Sequence, residues 1–151
     1  MSSFYEGKKL KRKDGTVEDA QKVMDDSDLV LFYFSAKWCP PCRRFTPLLK
    51  QFVEHDDVKN TDMTVIFSSS DNSEEEMTSY FIHDHGDYFA IPFDDKPFLQ
   101  LMDRICDVDA IPKLCVVNKN GVLVHDSARI DVLDMQYPRD AIMKWLRKLQ
   151  E

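Results

Sequence analysis

Residues 29–53 read LVLFYFSAKWCPPCRRFTPLLKQFV, and this stretch changes its periodicity at a pair of cysteines. Leu29–Phe34 is a continuous run of aliphatic and aromatic residues, which is typical of a central strand covered on both faces. From Pro40 onward apolar residues recur at steps of three and four, which predicts an amphipathic helix to about His55. Cys39 and Cys42 therefore stand where a buried strand passes into a helix.

The rest of the chain continues this alternation. Periodicity and turn signals predict a helix over Val17–Met24 capped by Thr16 and an irregular segment over Tyr88–Pro97. They also predict strands at Met63–Ser68, Leu114–Val117 and Val122–Val124, and helices from Ser70 or Ser73 to Ile82, from Pro97 to Met102 and from Pro138 onward. This order predicts an α/β fold, a central mixed β-sheet with helices on both faces, and one domain over residues 1–151.

Composition excludes several classes of function. The chain has 151 residues, 20 of them basic and 27 acidic, which gives a formal net charge of −7. Such a chain lacks the basic face that nucleic-acid binding requires. The apolar run Leu29–Phe34 is far shorter than the ~20 residues that cross a bilayer, and Met1–Arg12 has no apolar signal core. We therefore expect no nucleic-acid or membrane partner, and a cytoplasmic or nuclear location.

Cysteine spacing points to redox chemistry. In a reducing compartment the four cysteines are not expected to form a structural framework, and a C-x-x-C pair there is a redox pair or half of a metal site. Cys39 stands at the mouth of a helix, where partial positive charge favours the thiolate. Pro40 and Pro41 have no N–H, so the amide of Cys42 is the main donor left to face that sulfur.

The spacing also suggests different roles for the two cysteines. Residues three apart on a helix are about 5–6 Å apart at Cβ, so Cys39 and Cys42 can form a disulfide with little backbone movement. Cys39, nearer the open end, is expected to attack a partner's disulfide and Cys42 to resolve the mixed disulfide. Trp38 is expected to be a partly exposed platform beside the sulfurs.

A second element precedes the strand at Leu114. Pro112 marks a strand entry because proline cannot donate to a ladder. If the Ile111–Pro112 bond is cis, the backbone there turns sharply. It could then lie against the Cys39 sulfur and offer the N–H and C=O of Ile111 to a substrate strand.

With these residues the chain resembles the thioredoxin fold, and specifically its tryparedoxin and nucleoredoxin branch. The resemblance extends roughly from Leu29 to Val124 and is carried by FYFSAKWCPPCR with FTP, by IPFD at Ile91–Asp94 and by AIPKL at Ala110–Leu114. It implies dithiol–disulfide oxidoreductase activity on protein partners. Cys39 would be the nucleophile, Cys42 the resolving thiol and Pro112 the cis proline. The substrate-binding surface would comprise Trp38, Pro40, Pro41, Ile111 and Pro112.

No bound cofactor is expected, so electrons must come from an upstream reductase or a low-molecular-weight dithiol. Two positions depart from the wider pattern. Tyr33 stands on the strand where ordinary thioredoxins have a buried acid, which leaves water or another group to accept the Cys42 proton. Tyr88 or Phe89 replaces a tryptophan that the branch often has.

Other interpretations stay open at this stage. Cys39 and Cys42 could be half of a zinc site completed by His83 and His85, although all four histidines are expected at the surface. The dithiol could instead serve a redox-sensing binding module that regulates a signalling partner, or an isomerase. Cys115 is expected in the core, and Cys106 is expected to be the more exposed of the two remaining cysteines.

Overall fold

A buried central strand organises the protein. The computed structural model describes residues 4–151, so the first three residues of the polar N-terminal segment lie outside the described part. Within that part seven strands and seven helices follow one another: β1 Lys9–Lys11, β2 Val17–Asp19, α1 Ala20–Asp25, β3 Leu29–Ser35, α2 Pro40–Glu54, α3 Asp56–Lys59, β4 Met63–Ser69, α4 Glu74–Asp84, β5 Phe89–Ala90, α5 Lys96–Ile105, β6 Lys113–Val117, β7 Leu123–His125, α6 Ala128–Asp134 and α7 Pro138–Leu149.

The strands form one mixed sheet in the order β2-β1-β5-β4-β3-β6-β7. β3 is buried at every residue and pairs in parallel with β4 and antiparallel with β6. Alternate residues of β3 enter two separate cores, with Tyr33 on the side of α2, α4 and α7 and Phe32 on the side of α1 and α5. The predicted mixed sheet with helices on both faces is confirmed. Among residues 4–151, none of the helices combines the length and the apolar character that crossing a membrane would demand.

The N-terminal prediction was wrong at its start. Val17–Asp19 is a strand that pairs antiparallel with Lys9–Lys11, around a turn in which Gly15 has φ +88°. The helix begins only at Ala20, where the Asp19 carboxylate accepts a hydrogen bond from the N–H of Lys22. The backbone of Val17–Asp19 therefore pairs with β1 instead of forming the first turn of a longer helix.

Other elements escaped the sequence patterns as well, among them the four-residue helix α3 at Asp56–Lys59. The segment expected to be irregular contains β5, which pairs with β4 and with Lys11 and so joins the N-terminal hairpin to the sheet. A two-residue strand is too short to show a period. The seven-residue helix α6 also went unpredicted, because its stability comes from tertiary contacts rather than from local propensity.

Asp131 connects α6 to its neighbours. This carboxylate is buried and accepts hydrogen bonds from His125, Lys144 and the indole N–H of Trp145, each at 2.8 Å. Burial by itself raises the pKa of Asp131, but hydrogen bonds from these three side chains outweigh it and lower the pKa below its ordinary value. The carboxylate thus ties α6 to β7 and α7.

We expect Asp131→Asn to lower the free energy of unfolding by about 1–3 kcal/mol, because the amide replaces an acceptor that serves three donors in a buried place. Urea denaturation at neutral pH measures the change. Asp134→Asn, at an exposed position of the same helix, is the matched control and should change stability by less than about 0.5 kcal/mol. Equal losses in the two variants would contradict the role given to Asp131.

His85 is buried in the core, so the prediction that all four histidines lie at the surface was wrong. Its ring is fully inaccessible and lies 4.1 Å from the ring of Phe67 and 4.4 Å from that of Tyr80, centroid to centroid. Nδ1 is 2.6 Å from the hydroxyl of Tyr88. Burial, and to a lesser degree the charge of Lys13, lowers the pKa of His85 to about 3. The imidazole is therefore neutral at physiological pH.

This depressed pKa predicts acid sensitivity. Because the unfolded chain binds a proton at His85 with a pKa of about 6.5, the contribution is complete above that pH and is lost as pH falls toward 3, by up to about 1.4 kcal/mol per pH unit. His85→Leu should flatten the loss of stability between pH 6.5 and 4.5, measured by urea denaturation. The exposed His83→Leu should retain the parent slope. An unchanged slope in His85→Leu would refute the assignment.

Candidate active site

The cysteine pair lies where the chain leaves the sheet and enters α2. Cys39 is the N-cap of that helix, with extended backbone angles, and its Sγ accepts a hydrogen bond from the N–H of Cys42 at 3.3 Å. Pro40 and Pro41 occupy the first two helical positions and contribute no donor. The expectation that the Cys42 amide faces this sulfur is confirmed. The helix N-terminus and this amide both favour negative charge on Cys39.

Cys39 and Cys42 are joined in a disulfide, with their Cα atoms 5.2 Å apart. The two sulfurs differ in access. Cys39 is 5% exposed, whereas Cys42 is fully inaccessible. A partner can therefore reach Cys39 first, and Cys42 lies behind it.

The loop before β6 completes the site. The Ile111–Pro112 peptide bond is cis, as the sequence allowed. The carbonyl oxygen of Ile111 is 3.9 Å from the Sγ of Cys39, and the Ile111 side chain packs with Ala36, Cys39 and Cys42. The tertiary fold thus brings together two segments that are about 70 positions apart in sequence.

Trp38 directly precedes Cys39 in the chain. Its side chain is 52% exposed, and its indole N–H donates to the carbonyl oxygen of Ser70 at 2.9 Å. Pro40 and Pro41 are exposed next to it, and Ile111 and Pro112 are half-buried. Trp38, Pro40 and Pro41 are chain neighbours of Cys39, and Ile111, which precedes Pro112, contacts it. We call these five residues, Trp38, Pro40, Pro41, Ile111 and Pro112, the apolar rim.

Sequence reasoning missed Asp71, which holds the loop that presents Trp38. Its carboxylate accepts hydrogen bonds from the N–H of Lys37 at 2.7 Å and from the hydroxyl of Ser69 at 2.7 Å. Burial raises the pKa of Asp71 above its ordinary value, against the effect of these hydrogen bonds. Its position just after β4 could have indicated this role. The carboxyl ends of the parallel strands β3 and β4 lie at the same edge of the sheet, and the Trp38 loop follows β3.

Beneath Cys42 the structure places hydroxyl groups where other sequences have an acid. The Tyr33 hydroxyl lies 2.7 Å from Thr46 Oγ1 and 3.4 Å from the carbonyl oxygen of Cys42. Tyr88 and Phe89, at the position of the missing tryptophan, are both buried. These two residues therefore contribute nothing to the surface around Cys39.

The remaining cysteines and histidines do not join the site. Cys106 and Cys115 are free thiols and fully buried, so the expectation that Cys106 is more exposed was wrong. A hydrogen bond with Cys115, together with burial, raises the pKa of Cys106. His83 is exposed, whereas His85 packs in the aromatic core. Within residues 4–151 no group of three or more His, Cys, Asp or Glu side chains is arranged to hold a metal, so the structure offers no support for the zinc alternative.

Comparison with known proteins agrees with this geometry. The family model described as Thioredoxin-like matches residues 26–123. The chain is 36% identical over 107 residues to tryparedoxin from Trypanosoma brucei brucei, which covers 70% of this chain and 72% of that protein. It is 32% identical over 102 residues to nucleoredoxin from Mus musculus, covering 68% of this chain but only 23% of that longer protein.

Solved structures show the same fold. Thioredoxin from Wuchereria bancrofti superposes with a TM-score of 0.81 at 34% identity, covering 97% of this chain and 99% of the other. Tryparedoxin II from C. fasciculata superposes with a TM-score of 0.78 at 28% identity, covering 89% and 87%. The predicted thioredoxin-like fold class is confirmed. With its paired Cys39 and Cys42, the chain belongs to the thioredoxin-like family of thiol–disulfide oxidoreductases, together with the tryparedoxins and nucleoredoxins.

Proposed function

We propose that this protein reduces disulfide bonds in partner proteins, with Cys39 as the nucleophile and Cys42 as the resolving thiol. The observation that carries the proposal is the asymmetry of the pair. Cys39 caps a helix, accepts the Cys42 amide hydrogen bond and is the sulfur that a partner can approach. Cys42 is close enough to bond to it but is closed to solvent.

The reaction transfers two electrons to the partner. The Cys39 thiolate attacks one sulfur of the partner's disulfide, a mixed disulfide forms, and the other partner sulfur leaves as a thiolate. The Cys42 thiolate then attacks the Cys39 sulfur, which forms the Cys39–Cys42 bond and expels the second partner thiolate. Protons from the two protein thiols end on the two partner thiols, so the partner is reduced and the protein is oxidised.

The surroundings of Cys39 serve partner binding. Trp38, Pro40 and Pro41 present an exposed apolar surface on one side of the sulfur. On the other side, the Ile111 carbonyl faces the sulfur and offers a main-chain acceptor to an extended partner segment. An extended chain can thus place its disulfide over Cys39 without a deep pocket.

The oxidised pair must be reduced again by an external donor. We propose no bound cofactor and a donor that is an upstream reductase or a low-molecular-weight dithiol. Support for a small thiol donor comes from a neighbour at 28% identity, tryparedoxin II complexed with glutathionylspermidine. A reducing compartment, the cytoplasm or nucleus, suits this cycle, and the free thiols of Cys106 and Cys115 are compatible with it.

A second function uses the same surface without turnover. The half-exposed Trp38 stands next to the redox pair and is anchored to the loop at Ser70. Oxidation or reduction of the pair could therefore change how the apolar rim holds a regulatory partner. The two functions are separated by whether the redox state of the pair changes partner affinity in a turnover-dead variant, as a redox sensor requires.

We expect Cys39→Ser to lower the rate of insulin disulfide reduction, with dithiothreitol as donor, by more than about 100-fold, because the attacking sulfur is lost. Cys42→Ser should instead accumulate covalent complexes with partners, visible on non-reducing gels and released by reductant. Cys106→Ala is the matched control for thiols outside the site and should retain turnover. Full activity in Cys39→Ser, or no trapped species with Cys42→Ser, would exclude the proposed division of labour.

We expect a redox titration against dithiothreitol, followed by tryptophan fluorescence, to show one reversible two-electron transition. Its potential should lie nearer about −270 mV than about −120 mV if the protein is a reductant. Trp38 lies beside the pair, whereas Trp145 is buried against Asp131, so Trp38→Phe should remove the fluorescence change. Cys39→Ser should show no transition. A potential near the oxidising end would reverse the proposed direction of electron flow.

A further inference from the structure

Four hydroxyl groups form a closed cluster beneath the resolving cysteine. Thr46 Oγ1 lies at its centre, 2.7 Å from the hydroxyl of Tyr33 and 2.6 Å from that of Tyr80. Ser35 Oγ lies 2.6 Å from the Tyr80 hydroxyl. Thr46 Oγ1 also donates to the carbonyl oxygen of Cys42 at 2.9 Å. All four side chains are at most 1% exposed, so their polar atoms depend on one another.

The number of protons available determines which hydroxyl donates in each of these hydrogen bonds. Each hydroxyl has one proton, and a carbonyl oxygen can only accept. The four short contacts are all filled when Thr46 donates to Cys42, Tyr33 and Tyr80 donate to Thr46, and Ser35 donates to Tyr80. Every hydroxyl then donates once, and the chain of hydrogen bonds ends on the main-chain carbonyl of Cys42.

This anchor lies next to a gap in the hydrogen bonding of α2. Pro47, which lies inside the helix, has no N–H and leaves the carbonyl of Arg43 without its helical donor. The Cys42 carbonyl accepts a hydrogen bond from the Thr46 hydroxyl in addition to the ordinary helical hydrogen bond from the Thr46 amide. The hydroxyl cluster therefore adds a hydrogen bond to the backbone of Cys42 beside the carbonyl that lacks its helical donor.

We propose that Thr46, oriented by Tyr33 and Tyr80, is a positioning residue for Cys42 and sets the rate at which Cys42 resolves the mixed disulfide. The inference deepens the proposed function and rests on it. The cluster holds the Cys42 main chain so that its sulfur stays within bonding reach of Cys39 after the disulfide has opened. It acts mainly on the second chemical step, because Thr46 holds the carbonyl of Cys42, whereas the Cys39 sulfur depends on the amide of Cys42.

The same geometry argues that the cluster is not the base for Cys42. Thr46 Oγ1 donates once and accepts twice, so it has no free lone pair for a thiol proton. Burial raises the pKa of both Tyr33 and Tyr80, which keeps them protonated. Across residues 4–151 no carboxylate hydrogen-bonds to these four hydroxyls. The Cys42 proton is therefore not taken up by this cluster.

Stopped-flow reaction of the reduced protein with the aromatic disulfide dithiobis-nitrobenzoate separates the two steps. Attack by Cys39 releases one coloured thiolate at a rate proportional to reagent concentration. Resolution by Cys42 releases the second at a rate that does not depend on it. The Cys39→Ser, Cys42→Ser double variant reports the background from other thiols. Absence of the first release in the parent protein would refute the proposed function itself.

Thr46→Val removes the central hydroxyl at nearly constant shape. We expect the second release to slow by at least about tenfold, because misplacement of a reacting group costs rate steeply, while the first release stays within about twofold. Tyr80→Phe should slow the same step. Thr46→Ser retains the hydroxyl and should restore the parent rate. Tyr88→Phe, a buried tyrosine whose hydroxyl contacts His85 instead, is the matched control and should change neither release.

Two results would overturn the inference. One is a second release in Thr46→Val that matches the parent rate. The other is a slowing of both releases to the same extent in Thr46→Val, with no rescue in Thr46→Ser, which would mean a general loss of structure. Thermal unfolding of each variant confirms that the protein measured is folded.

Discussion

The burial of β3 on both faces is the constraint on which the rest of the structure depends. Every residue of Leu29–Ser35 is withdrawn from water, so the strand needs neighbours on both edges and helices on both sides. Hydrogen bonds to β4 and β6 fix its position, and the two cores fix its rotation. The chain leaves this rigid strand only four residues before Cys39. The reactive sulfur is therefore held by the best-packed element of the protein.

The site is built almost without charge in its interior. The position under Cys42 that could have held a carboxylate is occupied by Tyr33, and the hydroxyls of Thr46, Tyr80 and Ser35 satisfy one another around it. A buried carboxylate would have carried a large desolvation cost and a titration of its own. Neutral hydroxyls have neither the desolvation cost nor the titration, but they provide no base. His85 is likewise uncharged, because it is buried among aromatic rings.

Local patterns were sufficient for much of the architecture. The apolar run at Leu29–Phe34 and the helical period after Pro40 each depend on a few consecutive residues, and the structure agrees with both. Predictions failed where a neighbour distant in sequence decided the outcome. Val17–Asp19 became a strand because β1 was available to pair with it. His85 entered the core because aromatic rings from β4 and α4 surround it.

The sequence by itself determined the fold class, the place of Cys39 and Cys42 at the start of a helix, and the expectation of a turn at Pro112. These follow from periodicity and backbone chemistry, which act over short spans. Only the tertiary structure decided that Ile111 faces the Cys39 sulfur, that Asp71 holds the Trp38 loop and that Tyr80 contacts Thr46. Each of these contacts joins segments more than 30 residues apart. Packing, rather than local propensity, selects such contacts.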